Sequence, residues 1–229
     1  MVMALLLTGC ATHRENAKIH PAVIAKPSSV VMAQVSGIEK PDLYKIGNQG
    51  LLDMMINDAM TSSVTEVIQK IDGQHIVDDF YFEAFERTFD SNQFKVKKAA
   101  AVINRKDLKE HAVDEAKFAH FDFRSLKNQY DVEYALILQP RGFGAVRTYK
   151  GFIPLGAPKG LAELLIYLVK LDDNSLVGYY NTAVELPVKG DWDNPPRYSA
   201  MTTASKRALK KALVDAHQYL FNSMPNSPL

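Results

Sequence analysis

Cys10 is the single cysteine of the chain, so no intramolecular disulfide can form and its thiol is free for another chemistry. The histidines offer weaker candidates. Glu110 and His111, with Asp114 and Glu115, place an imidazole and a carboxylate one helical turn apart, which is part of a metal site. A closed or catalytic site needs three or more convergent ligands, and a solvated, charged helix face is the plainer reading. His120 and Asp122 share a face only on a strand, where alternate residues point the same way. His75, close to Asp78 and Asp79, reads as a helix start, because carboxylates favour the positive end of the helix dipole. Neither Gly-x-Ser-x-Gly nor His-Glu-x-x-His occurs. Gly142-Phe143-Gly144 lacks the third glycine and the following helix of a dinucleotide fingerprint. The expectation is a chain with no catalytic residues, no metal and no cofactor.

Other residues are better suited to binding. Arg141, Phe143, Arg147, Tyr149, Lys150, Phe152 and Lys159 mix cations with aromatics, the composition enriched at protein-binding hot spots. The alternative is that these aromatics fold back onto a sheet. Trp192, between Asp191 and Asp193, either stacks on a sugar ring or a partner, or caps the core. Lys206, Arg207, Lys210 and Lys211 read as the solvated face of an amphipathic helix, with anionic polymer or lipid head groups as the alternative contact.

The balance of 27 Lys+Arg against 26 Asp+Glu gives a net charge of +1, so no global field favours nucleic acid. With 229 residues and 47% hydrophobic composition, the chain is long enough to bury a core without disulfides or metals.

Leu7-Thr8-Gly9-Cys10 resembles the bacterial lipobox, in which an aliphatic and two small residues precede a cysteine that is acylated before the signal is removed. That resemblance implies cleavage after Gly9 and a lipid on Cys10. Such a signal opens with Lys or Arg, whereas residues 1–9 carry no charge, which points to a start displaced from the true one. Ala11 stands where an Asp implies retention at the inner membrane in the enterobacterial signal, so the resemblance implies the outer membrane, facing the periplasm. No later stretch reaches the roughly 20 apolar residues of a spanning helix.

The elements that must position the binding residues follow from periodicity. Residues 10–28, with Pro21 and Pro27, read as a flexible lipidated linker. Residues 29–223 read as one periplasmic domain, and 224–229 as a flexible tail. Residues 30–35 form a β-rich run. Leu52, Met55, Ile56, Ala59, Met60, Val64, Val67 and Ile68 recur at the spacing of one helix face. A second helical pattern over 78–89 aligns Phe82, Phe85 and Phe89. Residues 94–103 hold a candidate strand, and 104–128 are charged and helical or loop-like. Residues 130–138 turn from alternating to wholly apolar, as expected of a strand entering a covered core. Residues 139–160, rich in glycine and proline, form a long excursion or an extended hairpin. Residues 161–171 and 176–186 flank the turn Asp172-Asp173-Asn174-Ser175 as a second hairpin. A last helix spans 199–221, with Leu209, Leu213, Ala216 and Leu220 on one stripe. The fold class is α/β in the layered α+β sense: a mixed sheet of about five strands with long helices packed on it.

This element order behind a lipobox, with the hairpin Leu171-Asp172-Asp173-Asn174-Ser175-Leu176-Val177-Gly178-Tyr179-Tyr180, resembles a loose group of envelope lipoproteins whose fold is like the TolB N-terminal domain. The group includes the penicillin-binding-protein activator and the curli secretion and Pel export lipoproteins. The aspartate and the aromatic of the hairpin carry the likeness, with Asn174-Ser175 in place of a Thr-Gly pair and Tyr in place of Trp. The resemblance implies a non-enzymatic, lipid-anchored accessory or assembly subunit of a secretion, export, motility or peptidoglycan machine. Its implied partners are the membrane through the anchor, other envelope proteins and, as an open alternative, further copies of itself. The residues leave two more readings open: a periplasmic glycan- or lipid-binding module if Trp192 and Tyr149 border a concave pocket, and a hydrolase if His111 or His120 meets distant carboxylates.

Overall fold

The computed structural model describes residues 14–111 and 117–222. In chain order the elements are α1 (Pro21–Ile24), β1 (Ser29–Gln34), β2 (Asp42–Asn48), α2 (Leu51–Ile68) and α3 (Gln74–Val77). A π-helical stretch (Asp78–Glu83) leads into α4 (Ala84–Ser91), followed by β3 (Lys95–Lys98), a short 3-10 turn (Arg105–Asp107) and α5 (Ser125–Tyr130). The chain ends with β4 (Tyr134–Lys150), β5 (Ile153–Pro154), β6 (Lys159–Lys170), β7 (Ser175–Pro187) and α6 (Ser199–Phe221). The result is the mixed, helix-covered sheet read from the sequence, with seven strands rather than about five.

The spine of the sheet is β4. Its first half pairs parallel with β1, from Val30↔Tyr134 to Gln34↔Leu138, and its second half pairs parallel with β2, from Asp42↔Gly144 to Asn48↔Lys150. Its other edge carries β6 in antiparallel register, and β6 in turn pairs with β7. Of the two readings of residues 139–160, the extended hairpin is the observed one. Pro140 is accommodated by a bulge between Pro140 and Gly142, where the ladder loses a donor and the register shifts.

The two faces of the sheet explain the change of pattern along β4. On one face, Leu136 and Leu138 of β4 join Val30, Met32, Ile166 and Leu168 under Leu209, Leu213 and Leu220 of α6. Tyr81, Phe85 and Phe89 complete that core, all fully buried. The expected line through Phe82 is shifted to Tyr81, and Phe82 is only partly buried. Residue 81 falls inside the π-helical stretch, whose wider turn changes which side chains line up. The Tyr81 hydroxyl donates toward Ala33 O (3.0 Å) and Leu136 O (2.8 Å). On the other face, Ala135 and Ile137 pack with Val31, Phe121, Phe123, Leu126 and Tyr167. The run from Ala135 to Leu138 is therefore apolar throughout because both faces are covered.

Two glycines permit close approaches of other elements to β6 and β7. A Cβ on Gly160 of β6 would fall 2.2 Å from the Ala204 carbonyl carbon of α6, so helix and strand touch backbone to backbone there. A Cβ on Gly178 would fall 2.5 Å from Ile19. The second contact corrects the linker expectation over its described part. Ala17 pairs with Tyr179 through two 2.8 Å backbone bonds, Asn16 exchanges bonds with Asn181, and Ile19 is fully buried. The segment is held because Ile19 adds to the apolar core and Ala17 satisfies edge groups of β7. The lipobox residues Leu7, Thr8, Gly9 and Cys10, and the tail 224–229, lie outside the described residues.

Asn174 closes the β6–β7 turn in the left-handed region, with φ +64°. Its fully buried side chain donates to Ala119 O (3.2 Å) and Phe121 O (2.9 Å) and accepts from Phe123 N–H (3.0 Å). One residue thus satisfies a turn and ties down the loop covering the second core. Replacing it by Ala is expected to destabilise by about 2–4 kcal/mol, through three lost bonds and a strained φ. Asn174→Gly should cost less because glycine adopts that φ freely; urea unfolding of both variants checks the order.

His217 sits in the first core between Phe85 and Phe221, with Nε2 2.8 Å from Thr88 Oγ1. Burial, reinforced by the charge of Arg87, lowers its pKa from the usual value. The unfolded chain therefore takes up this proton before the folded one, and the stability tied to neutral His217 falls as pH drops below about 6.5. Urea midpoints for wild type and His217→Gln from pH 7.5 to 5 are expected to show a steeper acid-side loss in wild type.

Candidate functional site: an apolar end and its cleft

The outer half of β4 and β2 carry the chain to one end of the sheet, and there the turn into α2 is stitched to the tip of the β4–β6 hairpin. Gly151 N–H donates to Asn48 O (2.8 Å), and the Asn57 side-chain amide donates to Gln49 Oε1 (2.7 Å) and Gly151 O (3.2 Å). The Asp53 carboxylate accepts from Gly50 N–H (2.9 Å), fixing the start of α2. These bonds make the end of the sheet a defined surface.

That surface is apolar. Ile46, Leu51, Leu52, Met54, Met55, Met60, Phe152, Ile153 and Leu155 are exposed there, Leu51 at 79% and Met60 at 68%. Among the described residues the one other large hydrophobic so exposed is Val102. Isolated exposed hydrophobics need no explanation, but nine gathered on one end do. The sequence pattern had assigned Leu52, Met55 and Met60 to the core face of the helix. The structure buries Val64 and Ile68 of that face as expected, but with Asn57 and Thr61 in place of Leu52, Met55 and Met60. Asn57 must face inward to satisfy the carbonyl of Gly151, and that requirement rotates Leu52 and Met55 toward solvent.

Inside this end lies a cleft of about 180 Å³ between α2, β4, β5, the Trp192 loop and the start of α6. Arg147, Tyr149, Phe152 and Trp192 line it together. The Arg147 guanidinium lies over the Trp192 ring, 4.4 Å from its centroid, and 5.8 Å from that of Tyr149. Arg147 Nε donates to Gly156 O (3.0 Å). Ser63 and Tyr198 share a hydroxyl hydrogen bond of 3.0 Å on another wall. Tyr149 is 3% exposed, and its hydroxyl has no hydrogen-bond partner among the described residues.

The other residues singled out in the sequence distribute differently. Phe143 is fully buried in the first core and offers nothing to a partner. The bulge between Pro140 and Gly142 shifts the alternation of β4 by one residue, which places Phe143 on the same helix-covered face as Leu136 and Leu138. Arg141 and Lys150 are exposed on β4 away from the cleft lining, and Lys159 pairs with Glu185 at 2.7 Å. Trp192 is partly buried, packing on the core with one side while facing Arg147. The sequence did not reveal Ser63, Tyr198 or the exposure of α2, since none carries a motif.

The candidate acid–base residues do not converge. His111 N–H donates to His120 O (2.7 Å), and the His120 ring faces Glu110 at 3.7 Å. Asp122 is held down to about 2 by the Arg124 guanidinium, which donates to both its oxygens. Asp114 and Glu115 lie outside the described residues. His75 lies 3.9 Å from Asp72, whose carboxylate also accepts from Gln74 N–H at the start of α3. Lys211 pairs with Asp215 and Lys210 lies over Phe80, as on a solvated helix face. Among the described residues no group of three or more His, Cys, Asp or Glu is placed to hold a metal, and no helix is long and apolar enough to cross a membrane.

No family model and no curated protein matches the chain. Several solved structures are similar to it. Protein XCC0632 from Xanthomonas campestris shares 13% identity at a TM-score of 0.41, over 93% of this chain and 95% of its own. Lipoprotein GNA1162 from Neisseria meningitidis shares 13% identity at 0.32, over 78% and 94%. The PelC dodecamer from Paraburkholderia phytofirmans shares 8% identity at 0.32, over 87% and 93%. These likenesses include a bacterial lipoprotein, and at such scores they assign no function.

If the apolar end is a binding surface rather than part of the core, its side chains are dispensable for folding. The double variant Leu52→Gln/Met55→Gln is expected to keep its unfolding free energy within about 1 kcal/mol of wild type. It should also bind markedly less of the apolar dye ANS; a large loss of stability would place these side chains in the core.

Proposed function

We propose that the chain is a lipid-anchored, periplasm-facing accessory or assembly subunit of a bacterial envelope complex that acts by protein–protein binding and carries out no catalysis. The observation that carries this reading is the gathering of exposed large hydrophobics on one end of an otherwise well-covered sheet, an arrangement typical of interaction sites. The Met and Leu side chains of α2 and the Phe152–Leu155 tip supply the adaptable apolar contacts that partner recognition uses.

The lipobox-like Leu7-Thr8-Gly9-Cys10 supports the anchor and, with Ala11, the outer membrane. The docked segment gives the anchor a geometric consequence. Six Cα–Cα steps separate Cys10 from Asn16, at most about 20 Å of extended chain, so a lipid on Cys10 would hold the body close to the bilayer. A second reading, a lipid- or glycan-binding module, is favoured by the concave cleft beside Trp192 and Tyr149.

Intact-mass measurement of the membrane-fraction protein beside Cys10→Ser tests the anchor. An acylated chain beginning at Cys10, lost in the variant, is the expected result; a soluble, unmodified chain retaining Met1 overturns it. A photo-crosslinker at Met55 is expected to capture an envelope protein, or a second copy, that one at Lys109 does not. Equal yields at the two positions would remove the apolar end from the reading.

A further inference from the structure

We infer that the cleft at the apolar end binds a single-chain anionic amphiphile, its hydrocarbon tail in the cleft and its carboxylate or phosphate on Arg147 and Tyr149. The inference deepens the reading of this end as a binding surface. It begins from the polar groups of the lining. The Asn57 amide is used by Gln49 and Gly151, and the Ser63 and Tyr198 hydroxyls use each other. Arg147 uses Nε for Gly156, and its other N–H groups make no hydrogen bond among the described residues. Asp193 also lines the cleft but forms no ion pair with Arg147. The Tyr149 hydroxyl is buried and unpartnered.

The unsatisfied groups are therefore a fixed cation and a phenol, both able to donate, set in a wall of Leu43, Met60, Val64, Phe152 and Met201. A ligand that satisfies them is rich in acceptors at one end and apolar elsewhere. The volume, about 180 Å³, is some six times the ~30 Å³ that a water molecule occupies in the liquid. That suffices for a stretch of acyl chain, and the exposed ledge of Met60 and Phe152 continues the apolar path outward. A sugar fits less well, because one face of Trp192 is already covered by Arg147 and the ring packs on the core.

Trp192 is the only tryptophan, so its fluorescence reports on the cleft directly. The Cys10→Ser chain, which carries no acyl group of its own, would be titrated with laurate, dodecyl phosphate, dodecyl maltoside and dodecyltrimethylammonium below their micellar concentrations, with calorimetry alongside. Laurate or dodecyl phosphate is expected to bind at least about tenfold more tightly than the neutral and cationic probes. The tighter of the two anions distinguishes a fatty acid from a single-chain phosphate lipid, such as a lysophospholipid, as the source. Tyr149→Phe is expected to weaken the anions about five- to tenfold without lowering the Tm of the free protein, since the hydroxyl it removes has no partner there. Arg147→Met is expected to abolish the preference for anions in the calorimetric measurement. Equal binding of all four probes, or unchanged anion affinity in both variants, overturns the proposal. Leu52→Gln/Met55→Gln, on the ledge outside the cleft lining, is expected to lose partner capture yet keep amphiphile affinity, so the two readings fail separately.

Discussion

The pairing of β4 with neighbours along both edges is the constraint from which the rest of the molecule follows. A strand of 17 residues is far longer than the five or six of an ordinary one, and it is too long for a single core to cover. Its first half, bracketed by β1 and β6, is buried on both faces and anchors the two cores. Its second half, bracketed by β2 and β6, runs on beyond the second core. The bulge at Pro140–Gly142 divides the two halves. It lets a proline sit in a central strand, a position where the missing N–H would otherwise break the ladder.

The overhang creates the apolar end. Polar groups there are joined tightly, Asn57 to Gly151 and Asp53 to Gly50, while the hydrophobic side chains around them are left in solvent. This inverts the usual economy of a surface helix, whose apolar stripe faces the sheet. A helix that buries Asn57 and Thr61 and exposes Leu51, Leu52, Met54 and Met55 gives up burial of roughly 1.5–3 kcal/mol for each large side chain. A surface of that kind is what the proposed partner would cover.

The N-terminal segment adds a second constraint. Once Ala17 pairs with β7 and Ile19 enters the core, little free chain remains between residue 10 and the body. The proposed anchor on Cys10 would then be a short leash holding the domain near the bilayer surface. Arg14 contributes by donating to Phe118 O (2.8 Å) and stacking over Tyr179. The start of the docked segment is thereby tied to the loop that Asn174 organises.

Several features were determined by the sequence alone. The 3.6-residue stripe of α6, the alternation and then saturation of apolar residues entering β4, and the polar turn at Asp172–Ser175 are local patterns. Local backbone geometry dictates them, so they could be read without contacts. The same holds for Arg147, Tyr149, Phe152 and Trp192 as candidates, since composition marks aromatic and cationic clusters. Tertiary structure alone decided the rest. Phe143 belongs to the core because the bulge at Pro140–Gly142 shifts the strand alternation and turns it under α6, and Tyr149 is turned inward at the cleft. Leu52 and Met55 carry the spacing of a buried face, yet the carbonyl of Gly151 claims the buried Asn57 and turns them outward. Residues 14–19 are docked because Gly178, far away in sequence, leaves room for Ile19. Periodicity shows that a face exists; only the demand that each buried polar group find a partner decides which face is hidden.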